Sequence, residues 1–365
     1  MRLVQLRKPA AVLAAGQSVG AGDDGPVLVD RLERRVRYLR VSLTDRCSMR
    51  CTYCMPPEGI EHVDRSEVLS LEEVARMVAA FAAWGVERVR LTGGEPTLRR
   101  NLTWLVQRLT QLRTPSGAPL RVVMTSNGEL IERLAGPLKA AGLETLTISL
   151  DSLDRERFAA ITRRDKLDQV VAGFAAAHAV GLPLKLNTVA VRGFNDDELG
   201  ALCRFAWQHD ATPRFIELMP MAGGRLFVPG ELMPAAEIRE RVGAELGAVV
   251  ELADQPQGPF GPAQYYVLRG GAHDGRRFGT IAAMTENFCG SCNRLRVSAT
   301  GQLHACLARD DAGDLRGALR SAQGEAGAAA LERVVRTALG HKRDAHGFEQ
   351  TGEGGPRKAM ISIGG

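Results

Sequence analysis

The chain has 365 residues, 45% of them apolar, which excludes wholesale disorder and allows one large α/β domain or two smaller domains. A formal charge of +5 suits an anionic ligand, but Lys and Arg are scattered and no aromatic-rich basic run indicates nucleic-acid binding. The chain has no apolar run of about 18 residues and its start lacks a signal-peptide core, so we expect no membrane partner and a cytoplasmic location.

Residues 1–31 lack strong periodicity and end near the turn-rich GAGDDGP, which predicts an N-terminal extension. From residue 32 to 221, short runs rich in branched residues alternate with amphipathic stretches. The predicted strands are RYLRVSL, VERVRLT, LRVVMTS, ETLTISL, LPLKLNTVAV and TPRFIELM. The clearest helix is SLEEVARMVAAFAAWG, with Ser70 as N-cap, Glu73 completing a capping box and Gly85 at its end.

This alternation predicts consecutive βα units and therefore an α/β fold, a partial (β/α)6 TIM-like barrel. In such a barrel the functional site lies at the carboxyl ends of the strands. Polar residues close five of the predicted strands and should converge on one mouth: Thr92 with Gly93 and Gly94, Thr125 with Ser126 and Asn127, Ser149 with Asp151, Lys185 with Asn187, and Glu217 with Met219.

The pattern changes near residue 222, where Gly/Pro-rich segments precede the short strands YYVLR, RFGTI and LRVSATGQLHACL. We therefore expect a smaller C-terminal α+β region over residues 222–345. Residues 346–365 are glycine-rich without a core-forming period, which is typical of a mobile tail.

Six of the seven cysteines fall in two triplets, and the first is Cys47, Cys51 and Cys54 in the spacing C-x3-C-x2-C. Three thiolates can ligate three irons of a [4Fe-4S] cluster or three positions of a zinc site, and either leaves one position open. The alternatives are a structural zinc with a distant fourth ligand such as His62, or buried cysteines without a metal.

The motif CSMRCTYC, followed some forty residues later by GGEP, resembles the radical S-adenosylmethionine superfamily. The resemblance implies that Cys47, Cys51 and Cys54 hold a cluster, and that Tyr53 and Gly94 contact S-adenosylmethionine, which is cleaved to a 5′-deoxyadenosyl radical. On physical grounds, a glycine pair lets the backbone approach a ligand closely, and Glu95 can accept a hydrogen bond from the cofactor's ammonium group.

The second triplet is Cys289, Cys292 and Cys306. Thr300 and Gly301 lie midway between alternating runs and predict a hairpin turn that returns Cys306 close to Cys292. Three cysteines again leave a site open, and His304 makes a Cys3His zinc site the competing interpretation.

From Tyr38 to Gly365 the chain resembles the GTP 3′,8-cyclase family of molybdenum cofactor biosynthesis. The motifs are LRVSLTDRCSMRCTYCMP, RLTGGEPTLR, TSNG, LTISLDSL, KLNTVAVRGFND, RFIELMPM, the C-x2-C-x13-C set and MISIGG. The resemblance implies a second [4Fe-4S] cluster in the C-terminal region. It also implies a lyase that converts GTP to (8S)-3′,8-cyclo-7,8-dihydroguanosine 5′-triphosphate.

The resemblance also implies roles for individual residues. Ser149 and Met219 join the S-adenosylmethionine site, and Gly364 and Gly365 enter the active site, where with Arg294 and Arg296 they support catalysis. The implied GTP contacts are Arg40, Arg90, Thr125, Lys185, Arg294, Leu295 and Arg296. The chemistry agrees, because a triphosphate needs several cations and Arg binds phosphate bidentately.

The implied partners are GTP, an electron donor of the flavodoxin or ferredoxin type and, as a candidate, a downstream cyclic pyranopterin monophosphate synthase, with the chain a monomer or homodimer. Two alternative functions remain open. One is another radical S-adenosylmethionine enzyme, such as a peptide maturase with an auxiliary cluster. The other is a zinc-binding interaction protein without catalytic activity.

Overall fold

The computed structural model describes residues 27–364 apart from 223, 226, 257–260, 322–323, 350 and 352–354. Most of the predicted N-terminal extension lies outside the described residues, but its end is folded. Strands β1 (Leu28–Val29) and β2 (Arg35–Val36) pair antiparallel, and Leu28 and Val36 are buried in the main core. Ordered structure therefore begins before residue 32.

The six strands predicted from the sequence form the centre of the sheet. They are β3 (Tyr38–Ser42), β4 (Arg88–Thr92), β5 (Arg121–Ser126), β6 (Thr145–Ser149), β7 (Leu184–Ala190) and β8 (Thr212–Glu217). Each is parallel to the next in chain order, as consecutive βα units require. The expected partial (β/α)6 barrel is confirmed.

Helices connect these strands: α1 (Leu71–Ala83), α2 (Leu102–Thr110), α3 (Ile131–Ala140), α4 (Arg155–Thr162), α5 (Leu167–Ala179) and α6 (Leu199–Gln208). Helix α1 begins as predicted, because Ser70 Oγ accepts from Glu73 N at 3.1 Å while Glu73 Oε2 accepts from Ser70 N at 2.8 Å. Both exchanges satisfy backbone N–H groups that have no partner within the helix.

The C-terminal part supplies α7 (Ala235–Leu246), β9 (Val249–Leu252), β10 (Gln264–Arg269), β11 (Arg277–Ile281), β12 (Arg294–Val297), β13 (Gln302–His304), β14 (Gly313–Asp314), α8 (Leu315–Ser321) and α9 (Gly324–Gly340). Its strands continue the barrel sheet at both edges, since β12 joins β3 and β11 joins β8, each in parallel. The described strands give the order β14-β13-β12-β3-β4-β5-β6-β7-β8-β11-β10-β9.

Two C-terminal features place residues near the barrel mouth. Strands β12 and β13 form the predicted hairpin, with Arg296 opposite His304 and the turn at Thr300 and Gly301. The tail is packed against the protein, because a 3₁₀ turn at Met360–Ile363 buries Ile363 to 1% exposure. The glycine-rich composition predicted mobility there, but isoleucines inside the tail supply apolar surface to bury.

Among the described residues, none of the helices combines the length and apolarity needed to cross a bilayer.

Replacing Ser70 with Ala should lower the free energy of unfolding by about 1 kcal/mol, because the capping hydroxyl at the start of α1 is lost. Urea denaturation of the variant and the parent measures this difference. Ser70→Thr is the matched control, since it keeps a hydroxyl and should stay close to the parent. Equal losses in both variants would contradict the assigned cap.

Candidate active site

The first cysteine triplet lies in the loop that follows β3. Burial and, after it, the nearby Cys47 raise the pKa of Cys54 to about 12. Burial likewise raises the pKa of Cys47 to about 11, with Glu95 adding to the effect. Ionised thiols therefore need a positive partner here, and a bound metal supplies that charge because thiolates are its ligands.

The glycine pair after β4 lies against this loop. Gly94 N donates to Thr44 O at 2.6 Å, and Glu95 N donates to Arg46 O at 2.7 Å. A Cβ atom on Gly94 would lie 2.2 Å from Arg46 O, closer than any side chain allows. Glycine is thus required at position 94 for the β4 end and the cysteine loop to meet.

Glu95 acts within the protein framework. Its carboxylate is 1% exposed and accepts hydrogen bonds from Thr97 N, Thr97 Oγ1, Ser126 Oγ and Asn127 N. Burial raises the pKa of this carboxyl, and these bonds oppose the rise. Glu95 was predicted to contact the cofactor. Its described hydrogen bonds join the ends of β4 and β5.

Two polar pairs orient groups beside the first triplet. Tyr53 OH donates to Asp151 Oδ2 at 2.7 Å, while Asp151 Oδ1 accepts from Val189 N at 2.8 Å. Burial raises the pKa of Asp151 to about 6. Asn127 Nδ2 donates to Ser48 Oγ at 3.0 Å in the cysteine loop. The sequence predicted that Asp151 and Asn127 lie at strand ends, but it did not predict these hydrogen-bond partners.

The second triplet has cationic surroundings. Cys289 begins the short 3₁₀ turn Cys289–Ser291, Cys292 follows it directly, and Cys306 follows β13. Burial opposes ionisation of Cys292, but Arg294 and Lys342 bring its pKa down to about 7. Among the described residues, cations lower the pKa of a thiol in the second triplet, whereas no cation does so for the thiols of the first.

The two histidines considered as zinc ligands have other partners at Nδ1. His304 Nδ1 lies 2.8 Å from Lys358 Nζ and 3.1 Å from Asp311 O, while His62 Nδ1 lies 3.1 Å from Asp45 Oδ2. In the described part of the chain, no three His, Cys, Asp or Glu side chains form a group that could hold one metal ion. The donor set of each triplet, three thiols in one short segment or hairpin, matches the chemistry of iron–sulfur ligation.

A cavity of about 180 Å³ is lined by residues that are adjacent in sequence to cysteines of both triplets. Its lining includes Tyr53, which adjoins Cys54, and Phe288 and Leu307, which adjoin Cys289 and Cys306. The structure brings eight predicted site residues together around it: Arg40, Tyr53, Arg90, Thr125, Ser149, Met219, Arg294 and Arg296. Residues from four of the five predicted strand ends thus line one cavity, while Thr92, Gly93 and Gly94 at the end of β4 are not part of its lining.

Three arginines cross this cavity in one row. Arg296 pairs with Arg40 between β12 and β3, and Arg40 pairs with Arg90 between β3 and β4, so all three share one face of the sheet. Burial, followed by Arg296, holds the pKa of Arg40 well below its usual range, and burial with Arg294 lowers the pKa of Arg296 to about 10. Like charges buried side by side favour binding of an anion.

Three buried polar atoms on the cavity wall could also form hydrogen bonds with a ligand. Arg214 Nε, Arg294 Nε and Asn187 Oδ1 have no hydrogen-bond partner among the described residues. The Tyr38 hydroxyl accepts a hydrogen bond from Arg90 Nε. Burial raises the pKa of Tyr38, but the charges of Arg90 and Arg40 bring it down to about 8. Sequence reasoning missed Tyr38, although its spacing of two residues from Arg40 places both on one face of β3.

Arg214 and Lys342 were also missed. Arg214 lies on the cavity wall in the predicted strand β8, where its face could have been inferred from alternation. Lys342 is remote in sequence from both triplets, so no local spacing would have indicated it.

Two predicted GTP contacts lie away from the cavity lining. Lys185 Nζ is 3.4 Å from Tyr265 OH, and burial followed by Arg214 lowers its pKa to about 7. Leu295 is fully buried in the main core, because it alternates with Arg294 and Arg296 along β12. The Leu295 side chain is therefore not part of the cavity wall, and the predicted GTP contact at this position stays a prediction.

The tail brings Gly364 to the arginine row, where its carbonyl oxygen accepts from Arg296 Nη1 at 3.3 Å. A Cβ atom on Gly364 would lie 2.7 Å from Thr92 Cγ2, and its φ of +71° also favours glycine. Gly365 lies outside the described residues.

Replacing Ile363 with Asp should release the tail, because an unpaired carboxylate in this buried position costs several kcal/mol. We expect trypsin to cleave after Lys358 at least about tenfold faster, since cleavage follows the population of the open tail. Ser362→Asp is the matched control at a half-buried neighbour. Equal cleavage rates in the parent and both variants would contradict a docked tail.

Comparison with known proteins adds family evidence. Residues 41–206 match the model of the radical SAM superfamily, and residues 211–348 match the model described as Molybdenum Cofactor Synthesis C. A crystal structure of Streptococcus suis SuiB bound to S-adenosylmethionine is similar at a TM-score of 0.48 and 17% identity, covering 57% of this chain and 47% of that chain.

Curated relatives match almost from end to end. The GTP 3′,8-cyclase of Pelotomaculum thermopropionicum is 41% identical over 339 residues, which is 92% of this chain and 99% of that protein. The GTP 3′,8-cyclase of Heliobacterium modesticaldum is 41% identical over 341 residues, covering 93% and 100% respectively. The chain therefore belongs to the GTP 3′,8-cyclase family within the radical S-adenosylmethionine superfamily.

Proposed function

We propose that this chain is a cytoplasmic GTP 3′,8-cyclase that acts early in molybdenum cofactor biosynthesis. The observation that carries the proposal is one cavity that is lined by sequence neighbours of both cysteine triplets and by a row of buried arginines. The two relatives described above, which are named for this activity, match 92% and 93% of the chain and support the same assignment.

Membership in the radical S-adenosylmethionine superfamily implies one [4Fe-4S] cluster and S-adenosylmethionine. We assign that cluster to Cys47, Cys51 and Cys54 and propose a second [4Fe-4S] cluster on Cys289, Cys292 and Cys306. When bound, the first cluster and S-adenosylmethionine supply the radical chemistry that removes a hydrogen atom from the substrate. The protein orients the cofactor and keeps water from it.

Tyr53, Ser149 and Met219 form the cofactor side of the cavity, and Gly94 is assigned to the same cofactor site next to the cysteine loop that it contacts. Asp151 fixes the Tyr53 hydroxyl. Glu95 contributes by holding the strand ends on which Gly94 and Asn127 lie. Each of these groups has a packed or hydrogen-bonded support, which is what precise orientation of a reactive cofactor requires.

The substrate side is cationic and suits GTP. Arg40, Arg90 and Arg296 supply the row of charge, with Thr125 held by Arg90 Nη1 at 2.7 Å. Arg294 lies with its guanidinium 5.2 Å from the Phe288 ring centre, beside the second triplet. Lys185 adds positive charge behind the row, next to Arg214 and Arg90, when its amine is protonated. Several fixed cations can bind a triphosphate in one orientation.

The protein promotes the reaction by holding GTP in one orientation. A hydrogen atom leaves C3′ of the ribose, the C3′–C8 bond forms, and one electron with one proton completes the 7,8-dihydro ring. The product consequently has the mass of GTP. The chain's contribution is to hold the C3′ hydrogen toward the cofactor while the arginines neutralise the triphosphate.

Reduction of the clusters requires electrons from outside the chain. We propose a flavodoxin- or ferredoxin-type donor, which is consistent with the net positive charge of the protein. The cyclised nucleotide needs a further enzyme, and a cyclic pyranopterin monophosphate synthase is the proposed consumer. The chain could perform the chemistry as a monomer or homodimer, because both triplets and the cavity belong to one chain.

An anaerobic assay tests the function directly. Reconstituted protein with GTP, S-adenosylmethionine and a strong reductant should form 5′-deoxyadenosine and an isomer of GTP in equal amounts, measured by mass spectrometry. 5′-Deoxyadenosine without any loss of GTP would refute the cyclase assignment and favour a different substrate, with peptides next to be tried. A colourless protein containing zinc in place of iron would instead favour the non-enzymatic alternative.

Replacing Arg294 and Arg296 with Ala should lower GTP turnover by more than about a hundredfold, because the fixed cations near the substrate are removed. Cleavage of S-adenosylmethionine uncoupled from GTP should persist. Arg269→Ala, at an exposed ion pair with Glu251, is the matched control and should keep both activities. Loss of both activities together with loss of iron would show a structural role for Arg294 and Arg296.

A further inference from the structure

Lys342 carries a buried ammonium group beside the second triplet. It follows α9, its side chain is 2% exposed, and its Nζ contacts Cys292 Sγ at 3.4 Å, Arg294 O at 3.1 Å and Ala305 O at 3.4 Å. Three acceptors match the three donors of an ammonium group. Its hydrogen bonding is therefore complete within the described structure.

The charge of Lys342 is not balanced by a carboxylate among the described residues, where its side-chain partners are two neutral carbonyls and one sulfur. A buried cation is costly unless an opposite charge lies close to it. Cys292 is the partner that can carry negative charge, as a thiolate bound to iron. The position of the ammonium is thus explained by a negatively charged group at the second triplet.

The N-terminal hairpin holds this arrangement in place. Arg31 Nε donates to Lys342 O at 3.0 Å. Arg34 donates to Arg343 O at 2.9 Å and to Cys289 O at 2.6 Å, and its Nε is held by Asp30 at 2.7 Å. The segment that carries Lys342 and the turn that carries Cys289 are therefore joined through the same two-stranded unit, β1 with β2.

We infer that Lys342 is a positioning residue for the second cluster, donating an N–H···S hydrogen bond to Cys292 and offsetting the negative charge of the thiolate-ligated iron. The inference rests on the proposed second cluster. Hydrogen bonds to ligand sulfur and local net charge help to set the reduction potential of such clusters. Removing the ammonium should therefore make the cluster harder to reduce and easier to lose.

The test isolates the second site by working in a full-length chain with Cys47, Cys51 and Cys54 replaced by Ala. In this parent, Lys342→Met should shift the midpoint potential of the remaining cluster to a more negative value, measured by EPR during redox titration. Iron loss to a chelator should become at least about fivefold faster. Lys342→Arg, which keeps the charge, should restore part of both properties.

Lys139→Met is the matched control, because Lys139 Nζ also donates to a carbonyl, Gly181 O at 2.8 Å, at an exposed site on α3. It should leave potential and iron loss unchanged. A Lys342→Met cluster with the parent's potential and retention would overturn the inference. A parent that binds no iron at all would instead refute the second cluster and with it this part of the proposed function.

Folding is checked in the chain with all its cysteines. There Lys342→Met should keep the first cluster, so that iron falls selectively at the second site while S-adenosylmethionine binding persists. Loss of both clusters together with a lower thermal midpoint would assign Lys342 to the stability of the fold and overturn the inference.

Discussion

The burial of three arginines in one lateral row is the constraint on which the site depends. Arg296, Arg40 and Arg90 come from β12, β3 and β4, and parallel register places them side by side. Such a row is unfavourable when the charges are left without anionic partners in a low-dielectric interior. A triphosphate would supply this row with negative charge and with several oxygen acceptors, so the proposed substrate matches the electrostatics of the cavity.

The C-terminal region makes this constraint possible. Strand β12 joins the open edge of the barrel and supplies Arg296. Without it, the row would consist of Arg40 and Arg90 alone. Strand β12 begins two residues after Cys292 and forms a hairpin with β13, which brings Cys306 back toward Cys292. The row of arginines and the second triplet are therefore parts of one local structure. The tail then adds Gly364 O to Arg296, which couples the chain end to the row.

Much of this architecture follows from local sequence rules. The six barrel strands and the capping box at Ser70 were predictable because alternation and capping depend on neighbouring residues. The turn at Thr300 and Gly301 was predictable for the same reason. The eight cavity-lining residues followed from family motifs, and strand-end placement had already indicated a common mouth for several of them.

What escaped prediction depends on long-range packing. Lys342 reaches Cys292 across 50 positions, and Arg34 reaches Cys289 across 255, so no local pattern reveals either contact. The burial of the Leu295 side chain follows from alternation along β12, whereas its predicted GTP contact came from the family motif. The four protein donors around the Glu95 carboxylate were likewise not foreseen, while its predicted cofactor contact stays a prediction.

The most direct test of the central claim compares the affinities of GTP and guanosine for the anaerobically reconstituted protein by calorimetry. If the buried arginine row serves the triphosphate, GTP should bind more than about a hundredfold tighter, because several charge-assisted hydrogen bonds are absent from guanosine. Equal affinities would contradict the account, since the row would then have no role in holding the substrate.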